Sequence, residues 1–283
     1  MALFSDILLT VDYDRTLTAP DTSIPERNLQ AIRYFMDNGG AFTVNTGRSL
    51  PMSRMMFDVV PVNAPFLLYN GAALWENGSL RHCRPIPLDV WETIRLVRAA
   101  APHMTLEIQA ADAHYFFERI TPQQAQVMAS FRCPVRYAQD GDDLNPFLKF
   151  SLSQKMEEAS LDYMFHGTPE ELRPVDEVEA ALNRMFAGSV IVNRAAARII
   201  DVQAAGTGKG IAARQLQQRM GRKYLICAGD ADNDISMLEA ADFAFCPADG
   251  KVADRYPNLC NCADGAIADL IYEKIPEIIG KLP

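Results

Sequence analysis

The sequence contains no apolar run long enough to cross a membrane, and its first residues lack the basic segment of a secretory signal. Six cysteines and four histidines are present, and neither set has the spacing of a metal finger. Positive charge is in deficit, because 27 Lys and Arg face 36 Asp and Glu and give a formal net charge of −9. These absences argue against a membrane protein and against a nucleic-acid-binding protein, which needs a basic surface. They predict a cytoplasmic protein with reduced thiols.

Apolar residues are plentiful, in contrast. They make up 49% of the 283 residues, which is enough to bury a core in each of two domains. The chain shows neither an internal repeat nor a low-complexity linker, so the domain organisation has to be inferred from its motifs.

Two aspartates come directly after the first apolar run. The run over residues 7–11 predicts a buried parallel strand, and Asp12 and Asp14 come directly after it. Open α/β sheets bind their ligands at this end of their strands. Buried carboxylates are costly without a cation or hydrogen bonds, so Asp12 could be a nucleophile and Asp14 a proton carrier beside a divalent metal. For this segment alone, an ordinary Asx turn is the better explanation.

A second acidic cluster follows another short apolar strand, predicted over residues 224–228. Asp230 and Asp234 would face Asp12 and Asp14 if the two strands were neighbours in the sheet. Four carboxylates at one sheet edge would repel each other strongly without a cation. Hard oxygen ligands favour Mg²⁺ at such a site.

Two further segments have the features of an anion site. A strand predicted over residues 41–44 leads into Thr46 and Gly47, where a hydroxyl and backbone N–H groups at a helix start can hold a phosphate. Lys209 lies in a glycine-framed segment ahead of a predicted helix, where its ammonium can contact a phosphoryl oxygen and the nucleophile. The alternatives are an ordinary N-cap for Thr46 and a solvated surface position for Lys209.

Taken in this order, the motifs resemble those of the haloacid dehalogenase superfamily, and more narrowly those of the Cof-type sugar phosphatases with a large inserted cap. The matching motifs are Asp12-x-Asp14-x-Thr16, Thr46-Gly47-Arg48, Tyr69-Asn70-Gly71-Ala72, Lys209 and Gly229-Asp230-x-x-Asn233-Asp234. The resemblance implies an α/β fold in which a Rossmann-like parallel sheet core, at residues 1–80 and 195–283, carries an inserted α+β cap domain at 81–194.

The resemblance also implies a Mg²⁺-dependent phosphatase that acts on a small phosphorylated metabolite, such as a sugar phosphate, through an aspartyl-phosphate intermediate. Asp12 would be the nucleophile and Asp14 the acid and base, and the metal and lysine would lower the pKa of Asp12. The implied catalytic residues are Asp12, Asp14, Thr46 and Lys209; the implied phosphate and substrate residues are Thr46, Gly47, Arg48, Asn70, Lys209 and Asn233; and the implied metal ligands are Asp12, Asp14 through its carbonyl, Asp230 and Asp234.

Two rival functions fit the same motifs. One is a phosphomutase, which shares this chemistry and returns the phosphoryl group to a sugar. The other is a non-catalytic phosphate-ligand binding protein, which usually lacks Asp12, Asp14 or Lys209. Arg15 departs from the family pattern, because relatives usually have glycine there. We expect a monomer or weak homo-oligomer with no nucleic-acid or membrane partner.

The segment at 81–194 has the mixed pattern of an α+β domain. We expect it to close over the substrate and to select it. Its predicted helices are 88–101, 122–131 and 169–186, the last interrupted near Pro174; its predicted strands are 104–108, 114–117 and 147–152, with a hairpin of 189–193 and 198–202 around a turn at 194–197. Candidate specificity residues are Tyr115, Arg119, Lys149, Asn193 and Arg194.

Overall fold

The computed structural model describes residues 2–155, 163–164 and 166–281. Its contacts divide the chain into two compact units. The first consists of Met1–Thr46, Met56–Arg81 and Gly208–Pro283, and the second consists of Gly47–Met55 and His82–Thr207. Each unit has its own sheet and its own apolar core.

The first unit is built around a five-stranded parallel sheet with the order β14-β13-β12-β1-β2. Its strands are β1 (Ile7–Val11), β2 (Ala41–Val44), β12 (Tyr224–Ala228), β13 (Phe243–Pro247) and β14 (Asn258–Leu259). Val11 at the end of β1 is level with Ala228 on one side and with Val44 on the other. Residues that directly follow β1, β2 and β12 are therefore brought together at one edge of the sheet.

This sheet is buried on both faces. Leu8 and Leu225 pack in one apolar cluster with Leu216 of the helix Lys209–Arg219. Leu9 and Ile226 alternate to the opposite face, and both are also fully buried. The other helices of this part of the chain are Glu26–Asp37, Leu50–Val59, Ile235–Ala240, Ala266–Asp269 and Ile275–Ile279, the second of which crosses into the second unit. The predicted α/β class is confirmed.

A small antiparallel sheet completes the first unit. Its strands are β3 (Phe66–Leu68), β4 (Ala73–Glu76) and β5 (Ser79–Arg81). The turn between β3 and β4 contains Asn70 at a φ of 53° and Gly71 at a φ of 85°. A Cβ on Gly71 would lie only 2.6 Å from the carbonyl oxygen of Gly208, so this close approach requires glycine.

The second unit contains a six-stranded sheet with the order β10-β11-β9-β6-β7-β8, in which every pair is antiparallel except β7 and β8. Its strands are β6 (Met104–Gln109), β7 (His114–Phe116), β8 (Val135–Tyr137), β9 (Lys149–Gln154), β10 (Val190–Ala196) and β11 (Ile199–Ala204), and its helices include Val90–Ala100, Pro122–Ser130 and Pro169–Met185.

Three details of the second unit differ from the sequence prediction. The helix Pro169–Met185 continues through Pro174, because the capping box of Thr168 starts it and buried residues anchor its later turns. The turn of the β10–β11 hairpin lies later than predicted, after Ala196. Strand β8 was not predicted, since it is short and mostly exposed. Among the described helices of both units, we find no segment with the length and apolar character of a membrane span.

The junctions of the two units also differ from the predicted domain boundaries. The boundary predicted at 194/195 falls inside β10, whereas the contact-based division falls after Thr207. The reason is that β11 pairs with β10 and β9 and so belongs to the second sheet. Backbone pairing of this kind has no signature in the motifs from which the boundary was inferred.

We expect the choice of junction to decide whether the first unit folds alone. A shortened chain that links Arg81 to Gly208 should give a soluble protein with a cooperative thermal transition. A matched chain that links residue 80 to residue 196 retains β11 without its partners, and should aggregate because an unpaired apolar strand is exposed. Circular dichroism melts of both chains test this, and equal solubility of the two would contradict it.

Candidate active site

Lys209 is the centre of a buried charge cluster in the first unit. It is the first residue of its helix, and its side chain is 1% exposed. Its Nζ lies 2.6 Å from Oδ1 of Asp12 and 2.6 Å from Oδ1 of Asp234. Asp12 directly follows β1 and Asp234 lies in the turn after β12, so the pairing of these strands brings the two carboxylates together. The alternative of a solvated surface lysine is therefore wrong.

Three carboxylates converge beside this lysine. Asp12, Asp230 and Asp234 are all buried, and each offers an oxygen within 4.8 Å of the others. With one ammonium against three carboxylates, ionisation of all three leaves negative charge in excess. An oxygen-only donor set with excess negative charge fits the preference of Mg²⁺.

The pKa of Asp12 is set by a balance between burial and neighbouring charges. Burial raises the pKa of Asp12 to about 7, and the charges of Asp234 and Asp14 add to this effect while Lys209 opposes it. Burial outweighs the lysine alone, and the lowered pKa expected from the lysine and a metal together stays a prediction. Burial also disfavours the charged form of Lys209. The nearby carboxylates of Asp12 and Asp234 outweigh this effect and raise the pKa of Lys209.

The loop that carries Asp230 is held by two side chains. Oδ2 of Asp234 accepts hydrogen bonds from the backbone N–H groups of Asp230 and Ala231, at 3.0 and 3.1 Å. Thr16 donates its hydroxyl to Oδ1 of Asp230 at 2.9 Å. A Cβ on Gly229 would lie 2.5 Å from the Cβ of Asp234, so a glycine is needed where the loop closes. Asp234 thus supports both the lysine and the loop.

Asp14 is half-buried in the turn Tyr13–Leu17, two residues beyond Asp12. Arg15 is exposed and has a φ of 59°, the left-handed region in which glycine is strain-free. This backbone conformation suits the glycine that the resemblance to the family leads us to expect at this position. In this chain the N–H of Arg15 donates to the Thr18 hydroxyl at 3.2 Å, which stabilises the turn.

Thr46 is 1% exposed and lies two residues beyond the end of β2. Its N–H donates to the carbonyl of Leu67 at 2.9 Å, and its own carbonyl accepts the N–H of Asn70 at 3.0 Å. Asn45, which the sequence prediction missed, donates from Nδ2 to the carbonyl of Lys209 at 2.8 Å. Its position directly after a buried strand, like that of Asp12, was the available signal.

The remaining predicted phosphate residues occupy different surroundings. Gly47 and Arg48 group with the second unit, where Gly47 accepts a hydrogen bond from Lys149 and Arg48 lies over the ring of Phe131. Asn233 is half-buried in the turn Asp232–Asp234 of the first unit. Their roles toward a substrate stay predictions.

The candidate specificity residues separate into distinct groups. Tyr115 belongs to the apolar cluster, and Arg194 pairs with carboxylates of the helix Pro169–Met185, so both lie on the helix-covered face of the second sheet. Arg119 is exposed. Lys149 and Asn193 lie on the opposite, polar face, since they pair in register with Gln203 and Asp201.

Comparison with known proteins assigns the family. The sequence model of the haloacid dehalogenase-like hydrolase family matches residues 9–253, which is most of the chain and includes all four acidic residues of the site. The chain belongs to the haloacid dehalogenase-like hydrolases. The resemblance seen in the motifs is thereby confirmed.

Relatives of this hydrolase include known phosphatases. The 5-amino-6-(5-phospho-D-ribitylamino)uracil phosphatase YitU of Bacillus subtilis (strain 168) is 24% identical over 242 residues, which is 83% of each chain. A superfamily phosphatase from Bacteroides thetaiotaomicron, BT1666, is 20% identical with a TM-score of 0.74, covering 99% of this chain and 97% of its own. SMU.1108c from Streptococcus mutans UA159 is 17% identical with a TM-score of 0.77, covering 95% of this chain and 98% of its own. The prediction of an enzyme of the phosphatase class is confirmed.

The excess negative charge gives a prediction for the metal-free hydrolase. Burial, Asp234 and Asp12 together raise the pKa of Asp230 well above its usual value, so the folded state holds this proton to higher pH than the unfolded chain. Stability from this group is present at low pH and is lost as pH rises. In EDTA at neutral pH, Asp230→Asn should therefore raise the melting temperature, by about 2–4 °C per kcal/mol of relieved repulsion.

The rise in melting temperature of Asp230→Asn should become smaller toward pH 4, where wild-type Asp230 is protonated. Asp232→Asn is the matched control, because Asp232 is an exposed carboxylate in the same loop, paired with Lys251. A melting temperature of Asp230→Asn below that of the wild type in EDTA at neutral pH would show that the three carboxylates are not in repulsion.

Proposed function

We propose that this hydrolase is a cytoplasmic, Mg²⁺-dependent phosphatase that releases phosphate from a small phosphorylated metabolite through an aspartyl phosphate on Asp12. The observation that carries the proposal is the ammonium of Lys209, 2.6 Å from both Asp12 and Asp234 at the ligand-binding edge of a parallel sheet. Such an ammonium can neutralise a phosphoryl oxygen and the nucleophile together.

The first step uses the carboxylate of Asp12. One of its oxygens attacks phosphorus, the new P–O bond to Asp12 forms, and the bond between phosphorus and the ester oxygen breaks. Asp14 gives its proton to the leaving oxygen, so the alcohol departs neutral. Lys209 and Thr46 hold phosphoryl oxygens, because phosphoryl transfer requires charge neutralisation and in-line positioning more than covalent assistance.

The second step returns the enzyme to its starting state. Asp14 accepts a proton from water as the water oxygen attacks phosphorus, and the bond between phosphorus and Asp12 breaks. Phosphate leaves, and Asp12 is again a carboxylate. The roles of Asp14 as acid and then as base are the two directions of one proton transfer.

The acidic cluster suits Mg²⁺ as the resident cation. Asp12, Asp230 and the carbonyl of Asp14 would hold it, and Asp234 would contribute directly or through water. Since both carboxylate oxygens of Asp234 already accept hydrogen bonds, we favour the water-mediated contact. When bound, Mg²⁺ would supply charge neutralisation at the phosphoryl group and keep Asp12 ionised.

For the substrate, we favour a phosphate ester of a sugar or a polyol. The activities of two relatives support this choice. One is a phosphatase of a phosphoribitylamino compound. The other, 16% identical with a TM-score of 0.73 and covering 95% of this chain and 99% of its own, is a sugar phosphatase of subclass IIB. A sugar and a ribityl chain are both polyhydroxylated. The motifs of the core serve any such ester, so the leaving group has to be identified by assay.

Replacement of the nucleophile tests the mechanism. Asp12→Asn should reduce phosphate release by about 10⁴-fold or more while the protein stays folded, because the amide cannot form the covalent intermediate. Release is measured on a panel of sugar phosphates, polyol phosphates and p-nitrophenyl phosphate. Asp37→Asn, an exposed carboxylate at the end of a surface helix, is the control and should keep wild-type rates.

Two results would count against this account. Near-wild-type rates for Asp12→Asn would remove the covalent step. Conversion of one sugar phosphate into an isomer without free phosphate would identify a phosphomutase.

Metal removal is a separate test. Exhaustive treatment with EDTA should abolish phosphate release and added Mg²⁺ should restore it, whereas Ca²⁺ should not, because its looser coordination misplaces the in-line geometry. EDTA saturated with Mg²⁺ beforehand is the control for effects of the chelator itself. Full activity of the exhaustively chelated enzyme would eliminate Mg²⁺ from the proposal.

A further inference from the structure

The six-stranded sheet of the second unit has two chemically different faces. In β6, Leu106 and Ile108 belong to the apolar cluster that includes the helices, whereas Glu107 and Gln109 alternate to the other face. The strand registers continue this polar face across β9 and β11, with Ser151 level with both Glu107 and Asp201. Its residues include Glu107, Gln109, His114, Lys149, Ser151 and Asp201.

This polar face is buried and connected by hydrogen bonds. Lys149 is 3% exposed and Asp201 is 4% exposed, and their Nζ and Oδ2 atoms lie 2.7 Å apart. Ser151 donates to Oδ1 of Asp201 at 2.6 Å, and Gln109 donates to the Ser151 hydroxyl at 2.9 Å. A buried ion pair gains little net stability over apolar residues of similar size, so its presence points to a role other than packing.

The network ends on a short segment that directly follows Thr46. Each of the three residues 47, 48 and 49 is held by a different side chain of the second unit. The contacts are Lys149 Nζ to the Gly47 carbonyl oxygen at 2.7 Å, the Arg48 guanidinium over the Phe131 ring at 4.7 Å from its centroid, and His114 Nε2 to the Ser49 hydroxyl at 2.6 Å.

We propose that Lys149 is a positioning residue for the phosphate-binding turn Thr46-Gly47-Arg48, an inference that rests on the function proposed above. The peptide between Gly47 and Arg48 is planar and trans, so its carbonyl and its N–H point in opposite directions. By holding the carbonyl oxygen, Lys149 fixes the direction of the Arg48 N–H.

The hydrogen bond from Lys149 matters because residue 47 is a glycine. Glycine has no side chain and samples backbone conformations that other residues avoid, so the turn would lose order without an anchor. Asp201 keeps the ammonium of Lys149 in place, and Ser151 and Gln109 keep Asp201 in place. A turn that is ordered before the phosphoryl group arrives stabilises its charge without the cost of reorganisation.

The test compares three variants in the full-length protein. Lys149→Met removes the anchor, and Lys149→Arg keeps the charge and the donors. Since Lys149→Met leaves Asp201 buried without its partner, the variant Lys149→Met/Asp201→Asn removes both charges and protects the fold. Lys155→Met is the control, because Lys155 is an exposed lysine just beyond β9 that pairs with Glu118.

Two quantities decide the outcome: the binding of inorganic phosphate, measured by calorimetry with Mg²⁺ present, and kcat/KM on a panel of phosphate esters. Positioning of the turn predicts that Lys149→Met and the double variant bind phosphate about tenfold or more weakly and lose kcat/KM by about 10²-fold, to the same extent for every ester. Lys149→Arg should recover part of both losses, and Lys155→Met should match the wild type.

Other results would overturn the proposal. If kcat/KM fell for some esters and not for others while phosphate binding was unchanged, Lys149 would contact the leaving group instead. If folded variants kept both quantities, the ion pair would be structural only. Phosphate binding does not depend on turnover, so an inactive wild type would refute the proposed function and still leave the role of Lys149 testable.

Discussion

The ion pairs of Lys209 are the interaction on which the site depends. The ammonium contacts Asp12, which follows β1, and Asp234, which follows β12. The backbone carbonyl of the same lysine accepts a hydrogen bond from the side chain of Asn45, which follows β2. One residue thus connects the ends of three strands. Removing one partner from a buried ion pair typically costs about 3–5 kcal/mol. The carboxyl groups of Asp12 and Asp234 and the end of β2 are therefore stabilised together.

Much of this arrangement follows from local patterns in the sequence. Short apolar runs followed by Asp12, Thr46 and Asp230 indicate buried parallel strands with polar residues at their carboxyl ends, and such ends meet at one sheet edge whatever the intervening chain. This is why the α/β class and the convergence of the carboxylates could be predicted. The pKa of Asp12 could not, since the balance between burial and the charge of Lys209 depends on distances and solvent exposure that no motif contains.

Features set by long-range pairing were also beyond the sequence. Lys149 and Gly47 are separated by 102 residues, and nothing near either residue indicates the other. The contact of Thr16 with Asp230 spans 214 residues, although Thr16 belongs to a motif that was recognised. The end of the second unit at Thr207 also depends on long-range pairing, because the pairing of β11 with β9 and β10 is a property of the assembled sheet.

The assignment of Gly47–Met55 to the second unit has a consequence for how such proteins diversify. An insertion is usually pictured as a module that enters and leaves at two neighbouring points of its host. Here the module also includes a stretch of host chain that begins one residue after Thr46 and contains most of a recognised motif. A recombination event that replaced only 82–207 would join a new sheet to an old 47–55 segment, and the partners of Gly47, Arg48 and Ser49 would be lost. Segments 47–55 and 82–207 should therefore change together during evolution, so that a successful exchange replaces both segments.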